Sequence, residues 1–515
     1  MKLINSLRII LLIIIISHNI NCFSQNWPKI YGDNIQAYGE EILESYDKGY
    51  FICGSILKDA ETFEYGWLIK TDINGNIIWD KRFGDDIRED YFLDFDKTLD
   101  NGLVISGVTS QIDIENDPLF VKLDPCGEIE WCKIYSSDGF NAGNSIVALP
   151  NGEYIGMLRY YGGDPQNIRI SLVKMDSSGE PIWIKHIANG DTTISNEDGY
   201  YLYFTPDANL LITGRCFSPS IKPFVLKTDS SGTQLWDIKW PVGSGGWADQ
   251  CAFASNGMIY SATGLQFTGH PRIPYLLKFN ESGDIITQYP LLGDTIYRGG
   301  AESLLLIGDT SMYVGLTWTD DPDLEELHSD ILKTDSLGNM FFQRRLIEGG
   351  FPPTSIIKSY DNKILVIGKY YVGSSWDIDL WKMNSDLEDD TLYTQPLTYD
   401  SLCPYQILSD TVDLDCSLFV NIDEIPTKEE YESTIKISPN PARDWISLSL
   451  PDVVAPGIVN LEIYNIFGQE ILKTRVTTQN RMTSLNVSNL PSGFYLAVCM
   501  DTNRKVFKGK FIVAR

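Results

Sequence analysis

A segment of the form Lys-x-Asp-x-x-Gly-x-x-x-Trp recurs along the chain, and no other feature limits the possible folds as tightly. It appears as Lys70, Asp72, Gly75, Trp79; as Lys122, Asp124, Gly127, Trp131; as Lys174, Asp176, Gly179, Trp183; and as Lys227, Asp229, Gly232, Trp236. Weaker copies follow. Lys278, Asn280 and Gly283 lack the Trp, Lys333, Asp335 and Gly338 put Phe342 in its place, and Lys382 and Asn384 keep only the front half. Successive lysines are 52, 52, 53, 51, 55 and 49 residues apart. That period suits a unit of four short strands repeated around or along an axis.

Residues on either side of the motif alternate with period two: an apolar strand such as Pro118 to Leu123 precedes it, and Glu128 to Tyr135 follows. Alternation on both sides of a short polar turn predicts a hairpin. Asp at the turn start accepts backbone N–H bonds and Gly supplies the position with positive φ. The aromatic residues Trp27, Trp79, Trp131, Trp183, Trp236 and Phe342 are then expected to fill the gap to the next sheet.

A second hairpin recurs with the first. Turn pairs from Asp47 and Gly49 to Asp361 and Asn362 each precede an apolar strand with an interior glycine, at Gly54, Gly107, Gly156, Gly214, Gly264, Gly315 and Gly368. Two hairpins in each of seven units predict an all-β fold: a seven-bladed β-propeller over residues 25–385, with six or eight blades as the alternatives. The stretch Trp27 to Gly32 matches Trp79 to Gly84 in spacing, without the Lys-x-Asp half before it. The last unit, conversely, ends without a Trp strand. The N-terminal segment is therefore expected to supply the outer strand of the last blade, burying two sheet edges and closing the ring.

The ends of the chain read differently. Lys2 and Arg8 precede an apolar run from Ile9 to Ile16, then polar residues and Cys22 to Gln25. The run is too short to span about 30 Å of hydrocarbon, and 1–24 is expected to be a secretory signal peptide. An uncleaved anchor and a lipid-modified Cys22 are the alternatives. No later stretch is apolar enough to predict a transmembrane segment. The formal net charge of −28 argues against a nucleic-acid partner, since phosphate binding needs clustered Lys and Arg. The charge is uneven. Residues 386–433 hold thirteen Asp and Glu against Lys428 alone, with three prolines, whereas 434–515 hold ten Lys and Arg against five acids. An extended acidic connector joining two modules is the expectation.

Within 434–515 stand Ile437 to Ala442 with Pro439, Asn440 and Pro441; Leu461 to Gln469 with Gly468; Leu490 to Tyr495 with Gly493 and Tyr495; and a basic closing strand with Lys508 and Lys510. This order resembles the type A C-terminal sorting domain of the type IX secretion system of Gram-negative bacteria. The resemblance implies a small β-sandwich, and as partners the type IX machinery and its sortase-like protease. It also implies a secreted or outer-membrane surface location, with exchange of the domain for a lipopolysaccharide anchor as one fate. Alternating strands and the Ser-Gly turn independently favour an antiparallel sandwich. A cut is expected between Thr427 and Lys436, in exposed chain.

Export permits disulfides. Cys403 and Cys416 flank a short acidic loop and are expected to bridge each other, while Cys53, Cys216 and Cys251 read as buried thiols. Catalytic signatures are scarce: His186, His270 and His328 form no paired-ligand motif, and no Gly-x-Ser-x-Gly elbow is present. The acidic run with Asp320, Asp321, Asp323 and Glu325 is a weak calcium candidate; no other cofactor is expected. The Asp-x-x-Gly-x-x-x-Trp spacing also resembles the tryptophan-docking repeats of quinoprotein propellers, a resemblance of blade packing. Without an adjacent Cys-Cys pair it does not extend to a quinone cofactor.

The functional expectation is a non-catalytic propeller that binds an extracellular glycan, peptide or surface partner, with Trp247, Trp318 and Trp376, outside the repeated site, as candidate contacts. The alternatives are a hydrolase or lyase using channel carboxylates and a passive structural protein.

Overall fold

Every recurring motif forms the turn its composition predicts. Asp72 Oδ1 accepts the backbone N–H groups of Asn74 and Asn76, both at 2.8 Å, and Gly75 takes φ +72°. Asp124, Asp176, Asp229, Asn280 and Asp335 repeat the arrangement. These turns join strands of an all-β chain. The structure is a computed structural model. It describes residues 27–515 except 34, 58–62, 86–87, 111–115, 137–140, 163–166, 188–196, 218–220, 239, 241–244, 293–297, 322–326, 349, 373–374, 420–433, 452–457, 466–468, 479–480 and 501–505. No helix occurs among the described residues. The signal-peptide expectation for 1–24 lies outside them. The chain divides into two compact units, one of residues up to 180 with 186–422, the other of 181–185 with 423–515.

The larger unit is a repetition of antiparallel four-stranded sheets. Their first strands are Ala37–Glu44, Asp90–Lys97, Ala142–Ala148, Glu197–Phe204, Gly245–Phe253, Arg298–Ile307 and Ser355–Lys358. Six sheets use four consecutive strands. The sheet that begins at Ser355 has only three of its own, and Lys29–Tyr31 pairs antiparallel with Ser375–Met383 as its fourth, Ile30 opposite Asp379.

Two side-chain ladders hold the repeated sheets. Within a unit, the motif lysine reaches the acid of the preceding turn: Lys70 to Asp47 at 2.6 Å, Lys122 to Asp100 at 2.8 Å, Lys174 to Glu153 at 2.6 Å, Lys227 to Asp207 at 2.6 Å and Lys382 to Asp361 at 2.7 Å. Between repeats, four of the tryptophan rings cover the glycine of the next turn. A Cβ on Gly75 would lie 3.0 Å from Trp27, on Gly127 2.9 Å from Trp79, on Gly179 2.7 Å from Trp131 and on Gly283 2.6 Å from Trp236. The indoles of Trp131 and Trp236 donate to the carbonyls of Ser177 and Glu281 in those turns.

Trp27, Trp79 and Trp183 are buried, and Trp131 and Trp236 half-buried. Phe342 departs from the expectation. It is 44% exposed, with the Lys333 ammonium over its ring. In the unit that lacks a tryptophan, Tyr289 packs on Gly338 instead, 2.8 Å from where a Cβ would stand.

The acidic segment also differs from the extended connector expected of it. Its described part runs along the outer edges of the first two sheets. Asp410–Val412 adds in parallel to Ile77–Phe83, and Ser417–Phe419 adds in parallel to Ile129–Tyr135. Cys403 and Cys416 are not bridged to each other. Cys403 is joined to Cys126 and Cys416 to Cys132. Open strand edges offer unpaired N–H and C=O groups to a passing chain, and alternation along Glu128 to Tyr135 turns Cys132 toward this strap, which charge counting did not register. Trp79 Nε1 donates to Asp400 at 3.1 Å, and Tyr399 OH accepts from the Ile73 backbone at 3.0 Å.

In the smaller unit a three-stranded sheet (Lys436–Ser438, Trp445–Ser449, Met482–Asn486) and a four-stranded sheet (Glu470–Thr477, Ile458–Asn465, Gly493–Met500, Val506–Val513) share one core. Ile446 and Leu448 meet Leu461, Ile463, Ala497 and Phe511 there. Asn440, between Pro439 and Pro441, accepts the Ile512 N–H at 2.9 Å. Tyr495, two residues past Gly493, stacks on Phe511 and donates to the Pro491 carbonyl. Lys508 and Lys510 lie on the exposed face of the last strand. Gly468 lies outside the described residues.

Candidate functional site

The site is built by a defect repeated in the first strands. Pairing between first and second strands slips between Gly39 and Glu41, Phe92 and Asp94, Gly143 and Ser145, Gly199 and Tyr201, Ala248 and Cys251, and Ala301 and Ser303. A β-bulge of this kind leaves an extra residue unpaired and re-aims its side chain. The extra residues include Glu40, Asn144, Tyr200, Asp249 and Glu302.

The bulge also explains several interior glycines more closely than crowding at an axis does. The carbonyl ahead of the bulge folds over the facing strand, so a Cβ on Gly54 would stand 1.8 Å from the Tyr38 oxygen, and one on Gly107 2.2 Å from the Tyr91 oxygen.

Residues following the bulges line a cavity of about 460 Å³ to which the first strand of every one of the seven sheets contributes. Glu41 and Asp94 face it together with Ser355, Tyr201 and Gln250. Glu41 Oε1 accepts from Ser355 Oγ at 2.5 Å, and Asp94 accepts from Ser145 Oγ and from the Ile146 N–H. The Gln250 amide spans from its own strand to two others, donating to the Thr354 carbonyl at 3.1 Å and accepting from the Leu304 N–H at 3.2 Å. Burial pushes the Glu41 carboxyl up to about 8, with the Asp94 charge adding to the shift. Burial likewise raises Asp94 to about 7. Both acids are thus held against ionisation by desolvation.

The bulge residues themselves form a second, more open layer. Burial raises Glu302 to about 7, opposed by Lys369 and Arg272, and raises Asp249 well above the usual carboxylate range, reinforced by Glu302. Lys369 is paired with Glu40 at 2.9 Å, and Arg159 and Arg215 both reach Asp198, at 2.8 and 3.2 Å. The Arg272 guanidinium lies over Trp247, 3.8 Å from the ring centre. Trp247 in turn hydrogen-bonds the Asp249 carboxyl. Around Lys369 stands an aromatic group. Trp376 meets Phe351 at 4.9 Å and Tyr371 at 4.6 Å between ring centres, and Phe351 and Tyr371 are about half exposed, at 50% and 49%.

Of the tryptophans singled out from sequence, Trp247 and Trp376 thus belong to this layer. Trp318 instead donates to Asp330 at 2.9 Å and packs edge-on to His328. His328 sits 3.1 Å from Glu348, and His186 is hydrogen-bonded to Ser171. Asp320 and Asp321 are exposed, Asp323 and Glu325 lie outside the described residues, and no group of three or more metal-binding side chains occurs among the described residues. Sequence reading missed Glu40, Asn144, Tyr200, Asp249 and Glu302. Their one common signal is position, in the strand ahead of each turn pair and interior glycine.

Comparison with known proteins bears on the two units unequally. Residues 436–514 match the secretion system C-terminal sorting domain. The chain therefore carries a type IX sorting tail, which indicates export to the medium or the outer-membrane surface. No helix among the described residues is long and apolar enough to cross a membrane. No curated protein matches the chain. Among solved structures it is similar to a protein of unknown function from Bacteroides caccae (15% identity, 60% of this chain and 94% of that one, TM-score 0.36). It is also similar to an ulvan lyase of a new polysaccharide lyase family (10%, 70% and 96%, 0.45) and to an α-L-arabinanase of Penicillium chrysogenum (11%, 50% and 84%, 0.34).

Proposed function

We propose that the chain is an exported seven-bladed β-propeller, latched by its opening strand, that binds an extracellular glycan at the mouth formed by the bulge residues. The ring reading is supported by a cavity to which all seven first strands contribute and by the pairing of Lys29–Tyr31 with the last sheet. We read the two C-terminal sheets as a β-sandwich handed to the type IX machinery and then to its sortase-like protease, after a signal peptide has carried the chain to the periplasm.

The observation that carries the binding reading is the joining of flat aromatic faces to hydrogen-bonding groups in one layer: Phe351, Tyr371 and Trp376 beside Lys369, and Lys369 beside Glu40 and Glu302. Sugar rings present an apolar C–H face and a rim of hydroxyls, and such a surface answers both. The test is a binding screen of the secreted chain against immobilised polysaccharides, with and without a calcium chelator. Trp376→Ala and Glu302→Gln are expected to weaken any binding found at least tenfold. Binding that neither change affects would contradict the site.

A second reading, hydrolase or lyase, is favoured by Asp249 and Glu302, two desolvated carboxyls in the same layer. Carboxyls kept protonated near neutrality serve as general acids. It predicts release of new chain ends from a bound polysaccharide, abolished in Glu302→Gln.

A further inference from the structure

Of the basic side chains described above in the bulge layer, all but one are paired with a carboxylate. Arg159 and Arg215 share Asp198, and Lys369 has Glu40. Among the described residues, no carboxylate lies within ion-pair distance of Arg272. Its contacts are the face of Trp247 and a hydrogen bond from Nε to the Gly299 carbonyl at 3.3 Å.

The position is held from three sides. Trp247 lies beneath the guanidinium, and the Trp247 ring itself rests against Gly264 and Gly300, where added Cβ atoms would each stand 3.3 Å from it. The Arg272 carbonyl accepts the Gly299 N–H at 2.9 Å, so backbone and side chain both clamp the residue to the neighbouring strand. With Nε engaged, the two terminal nitrogens keep the planar fork that matches a carboxylate or a sulfate.

Two further observations mark the position as built to receive a group. Partial burial lowers the Arg272 pKa and Arg298, an exposed cation of the same strand as Gly299, adds to the shift, while the Glu302 and Asp249 charges oppose it. Because burial holds both of those acids toward their protonated forms, an arriving anion supplies the offset that a desolvated guanidinium beside a like charge needs. Beside it, Asp249 Oδ2 is buried with no hydrogen-bond partner among the described residues. An unsatisfied buried carboxyl oxygen is costly in a resting fold and is relieved by a ligand hydroxyl.

We infer that Arg272 is the receptor for an acidic substituent, so that the glycan bound at the mouth is an anionic one, bearing a uronate carboxylate or a sulfate ester, with an adjacent hydroxyl meeting Asp249. This rests on the glycan-binding reading above and narrows its substrate class. It also places an anion-receiving group in a chain whose net charge is −28, where general electrostatics would repel such a ligand. Recognition must then be local and stereospecific.

The test compares polygalacturonate, dextran sulfate and neutral dextran on the full secreted chain at moderate salt, for the native protein and for Arg272→Gln and Arg272→Lys, with thermal unfolding run on each variant. Binding to one of the two anionic polymers, at least tenfold tighter than to dextran, is expected, and which one binds identifies carboxylate or sulfate. Arg272→Gln should remove that preference. Arg272→Lys, which keeps the charge and loses the fork, should restore only part of it. Should Arg272→Gln fail to fold, Arg298→Gln, at an exposed position, reads the same preference and should reduce it severalfold. Equal binding of dextran and the anionic polymers, or a preference unchanged in the folded variants, would overturn the inference and leave glycan binding standing. Binding of none of the three, with a neutral glycan bound in the wider screen, would overturn it likewise. A screen empty of every polysaccharide would overturn both readings.

Discussion

The ammonium of Lys70 lies 2.6 Å from the carboxylate of Asp47, and neither side chain is open to solvent. Asp47 also accepts the N–H groups of Gly49 and Asp400, so one buried carboxylate joins the two hairpins of the first sheet to the acidic strap. Burial alone would push the Asp47 carboxyl up, but the Lys70 charge and these hydrogen bonds hold it below the usual range.

Removing one partner of such a pair leaves the other charge buried. Lys70→Met is expected to destabilise by about 3–5 kcal/mol. The equivalent Lys174–Glu153 pair is 22% and 27% exposed, and Lys174→Met should cost roughly 1 kcal/mol or less. Chemical denaturation of the two variants checks the contrast; equal losses would mean that the repeated pair does not act through burial.

The strap gives a second expectation. Cys126–Cys403 closes a loop of 277 residues, worth roughly 5 kcal/mol by loop-closure entropy; once it is formed, Cys132–Cys416 closes only a short further loop, worth about 3 kcal/mol. Peptide mapping without reductant should recover these two pairs and no Cys403–Cys416 peptide. Cys403→Ser with Cys416→Ser should lower the melting temperature and open 386–419 to proteases, while Cys416→Ser alone should have the smaller effect.

The cavity acids set a pH dependence. Glu41 is raised to about 8, and Asp94 and Glu302 to about 7, against about 4 in an unfolded chain. Between those values the folded state keeps protons that the unfolded state releases. Stability must therefore fall as pH rises from about 5 to 8, by on the order of 1–3 kcal/mol for Glu41 alone. Glu41→Gln should flatten the curve. A melting temperature that stays level or climbs over this range in the native protein would contradict the burial of these acids.

The turns, the tryptophan contacts and the strand edge awaiting Lys29–Tyr31 were legible because each depends on residues close in sequence or on exact repetition. Asp72 and Gly75 declare a turn wherever they stand, and Trp79 repeats Trp27. The pairing of Lys70 with Asp47 was less visible, although both belong to recurring signals, because it joins two hairpins rather than one. The bulge layer was not legible. Glu40, Asn144, Tyr200, Asp249 and Glu302 share no chemistry, and a bulge is a register property of two strands that composition does not record. The strap was misread for a related reason. Its acidity describes how it meets water, whereas its path is decided by Cys126 and Cys132 and by two outer edges far earlier in the chain.

In the proposed propeller, closure is what brings the seven first strands to one cavity, and hydrogen–deuterium exchange at the opening strand tests that proposal most directly. With Lys29–Tyr31 paired to Ser375–Met383, backbone amides of residues 29–31 should exchange as slowly as those of the other outer strands, such as Ile77–Phe83. Cutting the chain immediately after Tyr31 should expose 375–383. Exchange of 29–31 within seconds, with 375–383 protected regardless, would mean that the opening strand is not the latch and would remove the basis for a single axial mouth.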